Sequence, residues 1–161
     1  MRRPPVLSLA ALSVGLLLFP LLTGCHSQPD ARTQTRITFL LDSMTVSKGQ
    51  ALLNAQWQII ELGEVAVPDL ITSLESKNEQ LRGSAAFCLG EMDDTRALPP
   101  LKKLLSDEVE VVRVEAACSL LRLGVREGFL ILLSALRDAR PWIRMNAMDT
   151  LKKATGKDFG F

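Results

Sequence analysis

Apolar positions recur along most of this chain at the three-and-four spacing of an amphipathic helix. In Val109, Val112, Ala116, Ala117, Leu120 and Leu123 the gaps are three, four, one, three and three, which gives one broad stripe. A shorter stripe, Leu98, Leu101, Leu104 and Leu105, precedes it. The pattern predicts helix pairs at 48–62 with 65–75, 79–91 with 95–106, and 109–123 with 126–137, then a last helix at 141–154 and a short helix at 36–45. Gly63, Gly90 and Gly124 follow the first helix of each pair, where a C-terminal cap wants glycine. Pro68 and Pro99 fall in the first turn of second helices, where a missing N–H costs little.

The pairs repeat with a period of 31 residues. Arg82, Arg113 and Arg144 are one column; Ala85, Ala116 and Ala147 another; Leu89, Leu120 and Leu151 a third. Leu70, Leu101 and Leu132, then Leu74, Leu105 and Leu136, keep the same register, while Leu130 stands where proline stood before. Ser76, Asp107 and Asp138 open successive first helices and read as N-caps, the first two with Glu79 and Glu110 at capping-box spacing. A lone pair cannot cover both faces of its helices, so the stack has to make the core.

The run Val-Arg-Val-Glu-Ala-Ala at 112–117, the cap-to-arginine spacing and the Leu-Gly helix ends resemble HEAT repeats, nearest to the short bacterial kind related to phycobilin-lyase repeats. The resemblance covers residues 48–154. It implies an all-α, right-handed α-α superhelix of about three helix pairs plus a terminal helix, in units 48–76, 77–107, 108–138 and a partial 139–155, with a cap at 156–161 carrying Phe159 and Phe161. It also implies that Asp107, Arg113, Asp138, Arg144 and Arg82 form a structural ladder between units, with Ser76 departing from the aspartate pattern at the first rung. In such arrays the second helices line the concave binding face. The outward positions there are Asp69, Pro100 and Ile131, then Thr72, Lys103 and Ser134. Phe129 to Leu133 is apolar all round, so either the tail covers it or Ile131 and Leu133 present a partner patch.

The N-terminus has a different pattern. Arg2 and Arg3 precede an uncharged apolar stretch from Val6 to Leu22, the layout of an export signal. Leu22-Thr23-Gly24-Cys25 resembles the lipobox of bacterial lipoproteins, which implies cleavage after residue 24 and a lipid on Cys25. Two or more acyl chains anchor stably where one does not. Residues 25–36 then read as a polar tether and 37–161 as the folded domain. With His26 after the cysteine, rather than an aspartate, the outer membrane is favoured over the inner for a Gram-negative source.

Composition narrows the chemistry. Formal charge is +1, which gives no nucleic-acid footprint. Residues 61–94 are acidic and 122–157 basic, which could orient a partner. Tyrosine is absent and His26 is the single histidine, outside the repeats. Cys88 and Cys118 lie on apolar stripes and read as core residues. Glu91, Asp93 and Asp94 read as a solvated turn. No zinc spacing or phosphate loop occurs, so no catalytic, metal or cofactor site is expected. The expectation is a lipid-anchored, non-enzymatic scaffold for an unknown protein partner in the bacterial envelope. The alternative is a lyase-like or cofactor-handling HEAT protein, which export speaks against, since bilin attachment is a cytoplasmic job.

Overall fold

A computed structural model describes residues 29–156; the proposed signal, Cys25 and the tail with Phe159 and Phe161 lie outside the described residues. Eight α-helices and two short 3₁₀ turns follow one another, with no strand among the described residues. They are α1 (Ala31–Val46), α2 (Gln50–Glu61), α3 (Val67–Ser73), α4 (Glu79–Glu91), α5 (Leu98–Leu104), α6 (Glu110–Arg122), α7 (Phe129–Ala135) and α8 (Pro141–Thr155). The long helices α2, α4, α6 and α8 pack side by side as one layer, and the short α3, α5 and α7 pack against α4, α6 and α8 as the second. The architecture is an α-α solenoid.

The 31-residue columns make the interior. Ala85, Ala116 and Ala147 are fully buried, as are Leu89, Leu120 and Leu151, and Leu70, Leu101 and Leu132. Alanine lets the long helices approach, and each buried leucine contributes roughly 1.5–3 kcal/mol over leaving it in water. Cys88 and Cys118 are free and buried in this interior. Burial pushes the Cys88 thiol far above its ordinary range and Cys118 up to about 12, so neither thiol is reactive.

The helix starts correct the sequence reading. Ser76, Asp107 and Asp138 are not N-caps. Each folds a turn two residues earlier: Ser76 Oγ accepts from Asn78 N at 3.1 Å, Asp107 Oδ1 from Val109 N at 2.9 Å and Asp138 Oδ1 from Arg140 N at 2.7 Å. Asn78, Val109 and Arg140 occupy the cap positions, and of these Asn78 makes a side-chain cap, to Leu81 N. The repeated arginines complete the motif. Arg82, Arg113 and Arg144 each donate through Nη1 to the carbonyl oxygen six residues back, at 2.9, 2.7 and 2.7 Å. The acceptor is backbone, so serine serves at the first copy as well as aspartate does.

Two further boundaries differ. Gly63 and Gly124 take the left-handed conformation expected of caps, but Gly90 lies inside α4. A Cβ there would sit 2.5 Å from Ser119 Oγ, so Gly90 is needed for close approach of α4 to α6. Asp93, one period before Gly124, takes the left-handed turn instead, with φ of 54°. The expected tether also shortens, because α1 starts at Ala31, capped by Asp30 accepting from Thr33 N at 2.7 Å. Ile37, Leu40 and Met44 of α1 are buried and close the first end of the array. Gln80 Nε2 clamps that end by donating to Met44 O and Ser47 O.

Candidate functional site

The expected concave face gathers little. Asp69 accepts a bond from Gln34 Nε2 at 3.3 Å and is tied to α1. Thr72 and Ser134 are exposed but spend their hydroxyls on Pro68 O and Ile131 O. Lys103 is exposed and Pro100 half-buried. Ile131 and Leu133 are half-buried against the apolar cluster of α6, α7 and α8, so they are not an open patch. Leu130, in the proline column, is the exposed large apolar residue of that helix. Asp138 also breaks the expected ladder. Its carboxylate binds Arg140 at 2.8 and 2.6 Å, while Arg113 stops at the carbonyl oxygens of Asp107 and Glu108. Two flanking atoms of Arg140 outcompete a cross-unit arginine. With Arg140 first among the causes, the Asp138 carboxyl falls to about 2.

The polar chemistry collects instead along the layer of long helices. Arg122 Nε binds Glu91 Oε1 at 3.1 Å, and Asn146 Nδ2 donates to Glu115 Oε1 at 3.1 Å. In both pairs the partners stand one period apart, in the same repeat column. Arg122 lies 5.6 Å from the centre of the Phe87 ring, and Phe87 meets Trp57 edge-on at 6.3 Å. Trp57 is 50% exposed. Glu115 Oε2 and Arg122 Nη1 are buried and make no hydrogen bond. Burial raises the Glu115 carboxyl, Arg122 and Asn146 pull it back, and it settles at about 7. A carboxyl poised near neutrality beside a guanidinium is a mark of functional sites. Of these six residues the sequence reading singled out Glu91 alone, and only as part of a solvated turn. The signal was a charge pair and an amide pair repeating at 31, hidden because no histidine or motif flagged it.

Beside this band lies a cleft of about 500 Å³ between the turns that end α2 and α4. Ile60 and Met92 give it apolar walls; Glu64, Asp93, Asp94, Thr95 and Arg96 give it polar ones. Trp57 is one helical turn before Ile60, and Glu91 adjoins Met92, so each of these two cleft residues has a residue of the band near it along its own helix. Asp94 clasps Arg96, with Oδ2 2.5 Å from Nη2, and accepts from Arg96 N at 2.9 Å. Asp93 and Asp94 of the acidic turn line the cleft, while Glu91 and Asp93 are exposed, as a solvated turn would have them. No cluster with metal-binding composition occurs among the described residues.

The fold defines the class: a solenoid of HEAT-like helical repeats. Residues 81–107 match the family described as PBS lyase HEAT-like repeat. The chain is also similar to the bilin biosynthesis protein RpcF of Synechococcus sp. (strain WH8020), at 30% identity over 119 residues. The match covers 68% of this chain and 57% of that relative, so the chain spans little more than half its length. The solved structure of human deoxyhypusine hydroxylase in complex with glycerol is similar at 23% identity and a TM-score of 0.48, covering 76% of this chain and 44% of that one. The likeness to a bilin biosynthesis protein and a lyase repeat overturns the expectation of a non-enzymatic interaction scaffold and favours the lyase-like alternative. The expectation rested on the absence of histidine, tyrosine and recognised motifs from the repeats, and an absence of that kind does not exclude a reaction.

Proposed function

We propose that this chain is a lyase-like module that binds a bilin, an open-chain tetrapyrrole, and acts in its transfer or release at a protein acceptor. The observation that carries the reading is the cleft lined by Ile60, Glu64, Met92, Asp93 and Arg96, in a chain similar to a bilin biosynthesis protein. An open-chain tetrapyrrole is long, flat and conjugated, with pyrrole N–H donors and propionate carboxylates. The half-exposed Trp57 and the ring of Phe87 offer it stacking surface. Glu64 and Asp93 are suited to accept from pyrrole N–H groups, and Arg96 brings a guanidinium to the same cleft for a carboxylate. The cleft volume lies in the range of small-molecule sites. Glu115 is the group whose proton is available near pH 7, and Arg122 beside it reaches Glu91, the residue before Met92 of the cleft.

The anchor belongs to this proposal. A lipid on Cys25 would place the site at a bacterial membrane, on the exported side and at the outer membrane in a Gram-negative cell. The tetrapyrrole would then be handled at the envelope rather than in the cytoplasm. Palmitate labelling of cells carrying the chain, against a Cys25→Ser control, tests the anchor.

The binding test titrates the purified chain with biliverdin and follows its visible absorption. Saturable binding with a shifted band is expected. Trp57→Ala and Asp93→Asn should each weaken it about tenfold, the scale of one lost stacking or hydrogen-bonding group, with helical circular dichroism unchanged. Absence of saturation up to about 100 μM, far above the affinity of a built site, would sink the reading.

A further inference from the structure

Helix α1 carries a second face with no partner among the described residues. Ile37, Leu40 and Met44 turn inward. On an outer side of the helix Arg32, Arg36, Phe39, Ser43 and Val46 follow at gaps of four, three, four and three, which sets them along one stripe. Phe39 is 68% exposed and Val46 76%. Large apolar side chains this exposed, at the closed end of a solenoid, are not required by its core. Arg32 and Arg36 are exposed, and their guanidinium groups make no ion pair among the described residues. Asp42 flanks the stripe, and Lys48 follows it.

We propose that this outer face of α1 docks on the anionic phospholipid surface of the membrane that holds the anchor. Phe39 and Val46 enter the headgroup boundary, and Arg32 and Arg36 bind phosphate. Charge and chain geometry choose this occupant. Two arginines beside two apolar side chains suit a surface that is negative outside and apolar beneath. Cys25 stands six positions before Ala31, and six peptide units span at most roughly 20 Å however they run. A lipid at Cys25 therefore keeps this end of the solenoid at the bilayer, where even a weak patch is engaged because its local concentration is high. The opposite end, at α8, is separated from α1 by the intervening helix pairs. The site at the ends of α2 and α4 would then be displayed in a fixed orientation above the membrane.

The inference rests on the anchor for its place in the cell, but its test does not. The processed chain, starting at residue 25 with Cys25→Ser, is floated with vesicles of phosphatidylcholine alone or with one third phosphatidylglycerol. Binding about thirtyfold stronger to the anionic vesicles is expected, since each of the two arginines near such a surface strengthens binding about fivefold. The pair Arg32→Gln and Arg36→Gln should abolish that preference. Phe39→Ser should weaken binding to both vesicle types severalfold, with the helical spectrum intact. Equal binding to the two vesicle types, or binding untouched by either change, overturns the proposal. Missing palmitate label in cells would remove the anchor while leaving the vesicle result to stand or fall by itself.

Discussion

Arg82 and Asp107 join two repeat units by a pair of parallel hydrogen bonds, Nε to Oδ2 at 2.8 Å and Nη2 to Oδ1 at 2.9 Å. The remaining nitrogen, Nη1, donates to Ser76 O and Lys77 O, so one guanidinium fastens its own turn and the next unit together. Both side chains are over nine-tenths removed from solvent. Removing one partner strands the other, so Asp107→Ala is expected to cost about 2–4 kcal/mol in urea unfolding. Arg82→Met with Asp107→Leu should cost clearly less than the two single changes summed. A double-mutant cycle with no coupling energy would show the pair to be incidental.

The same pair sets an acid limit. Burial pushes the Asp107 carboxyl up, but Arg82 and the Val109 amide outweigh it, and it titrates below its ordinary 3.8. A carboxylate depressed in the folded chain contributes stability above its unfolded value and loses it as pH falls through the folded one. Stability should therefore drop below about pH 4, the ordinary aspartate range. In Asp107→Asn that portion of the drop should be missing. An acid limb identical in the two proteins would refute it.

Close packing gives a prediction at Gly90. An added Cβ would stand 2.5 Å from Ser119 Oγ, 2.6 Å from its Cβ and 2.8 Å from its Cα. The Cα belongs to the backbone of α6 and cannot swing aside. Gly90→Ala should cost about 1–3 kcal/mol through overpacking. Gly90→Ala with Ser119→Gly should recover only part of this, because the α6 backbone remains. A neutral Gly90→Ala would mean that the two helices part freely.

Asp93 stands in the column of Gly124 with φ of 54°, a conformation that glycine adopts without strain. Asp93→Gly relieves that strain but frees the unfolded chain, so a stability change within about 1 kcal/mol is expected. Asp93 lines the cleft, so loss of its carboxylate should weaken biliverdin binding all the same. Full binding by Asp93→Gly would remove this residue from the site.

How much of this was legible varies by residue. The solenoid was, because Ala116 and Leu120 and their counterparts keep strict columns and meet the same neighbours in every unit. The register of the turns was not. Ser76, Asp107 and Asp138 look like caps, since an oxygen two residues before the cap and one at the cap offer the same residue types. The start of α1 was missed because Arg32 to Arg36 is polar on every face, and its helix is set by Asp30 and by packing one turn later. Glu115 was invisible as a special group, because in sequence it is one more acid on a helix. Only the stacking of α4, α6 and α8 encloses its carboxyl.

Glu115 provides the last prediction. Burial raises it from 4.5 to about 7 in the folded chain, against the pull of Arg122 and Asn146. A carboxyl raised on folding binds its proton more tightly in the folded state. Its contribution is therefore present at low pH and is lost as pH climbs from the unfolded value through the folded one. Between about pH 4.5 and 7, stability should fall with a slope of up to about 1.4 kcal/mol per unit, a total on the order of 1–3 kcal/mol. Glu115→Gln cannot ionise and keeps an oxygen for Asn146 Nδ2. It should match the parent near pH 4.5, exceed it at pH 8, and flatten this limb of the melting-temperature profile. If Glu115 supplies the proton in bilin chemistry, the same substitution should lower turnover while leaving biliverdin affinity within about twofold, a split that lost transition-state stabilisation produces and lost binding does not. A parent and variant that melt in parallel from pH 5 to 8 would show that Glu115 stays ionised in the fold, and the role assigned to it would go with that.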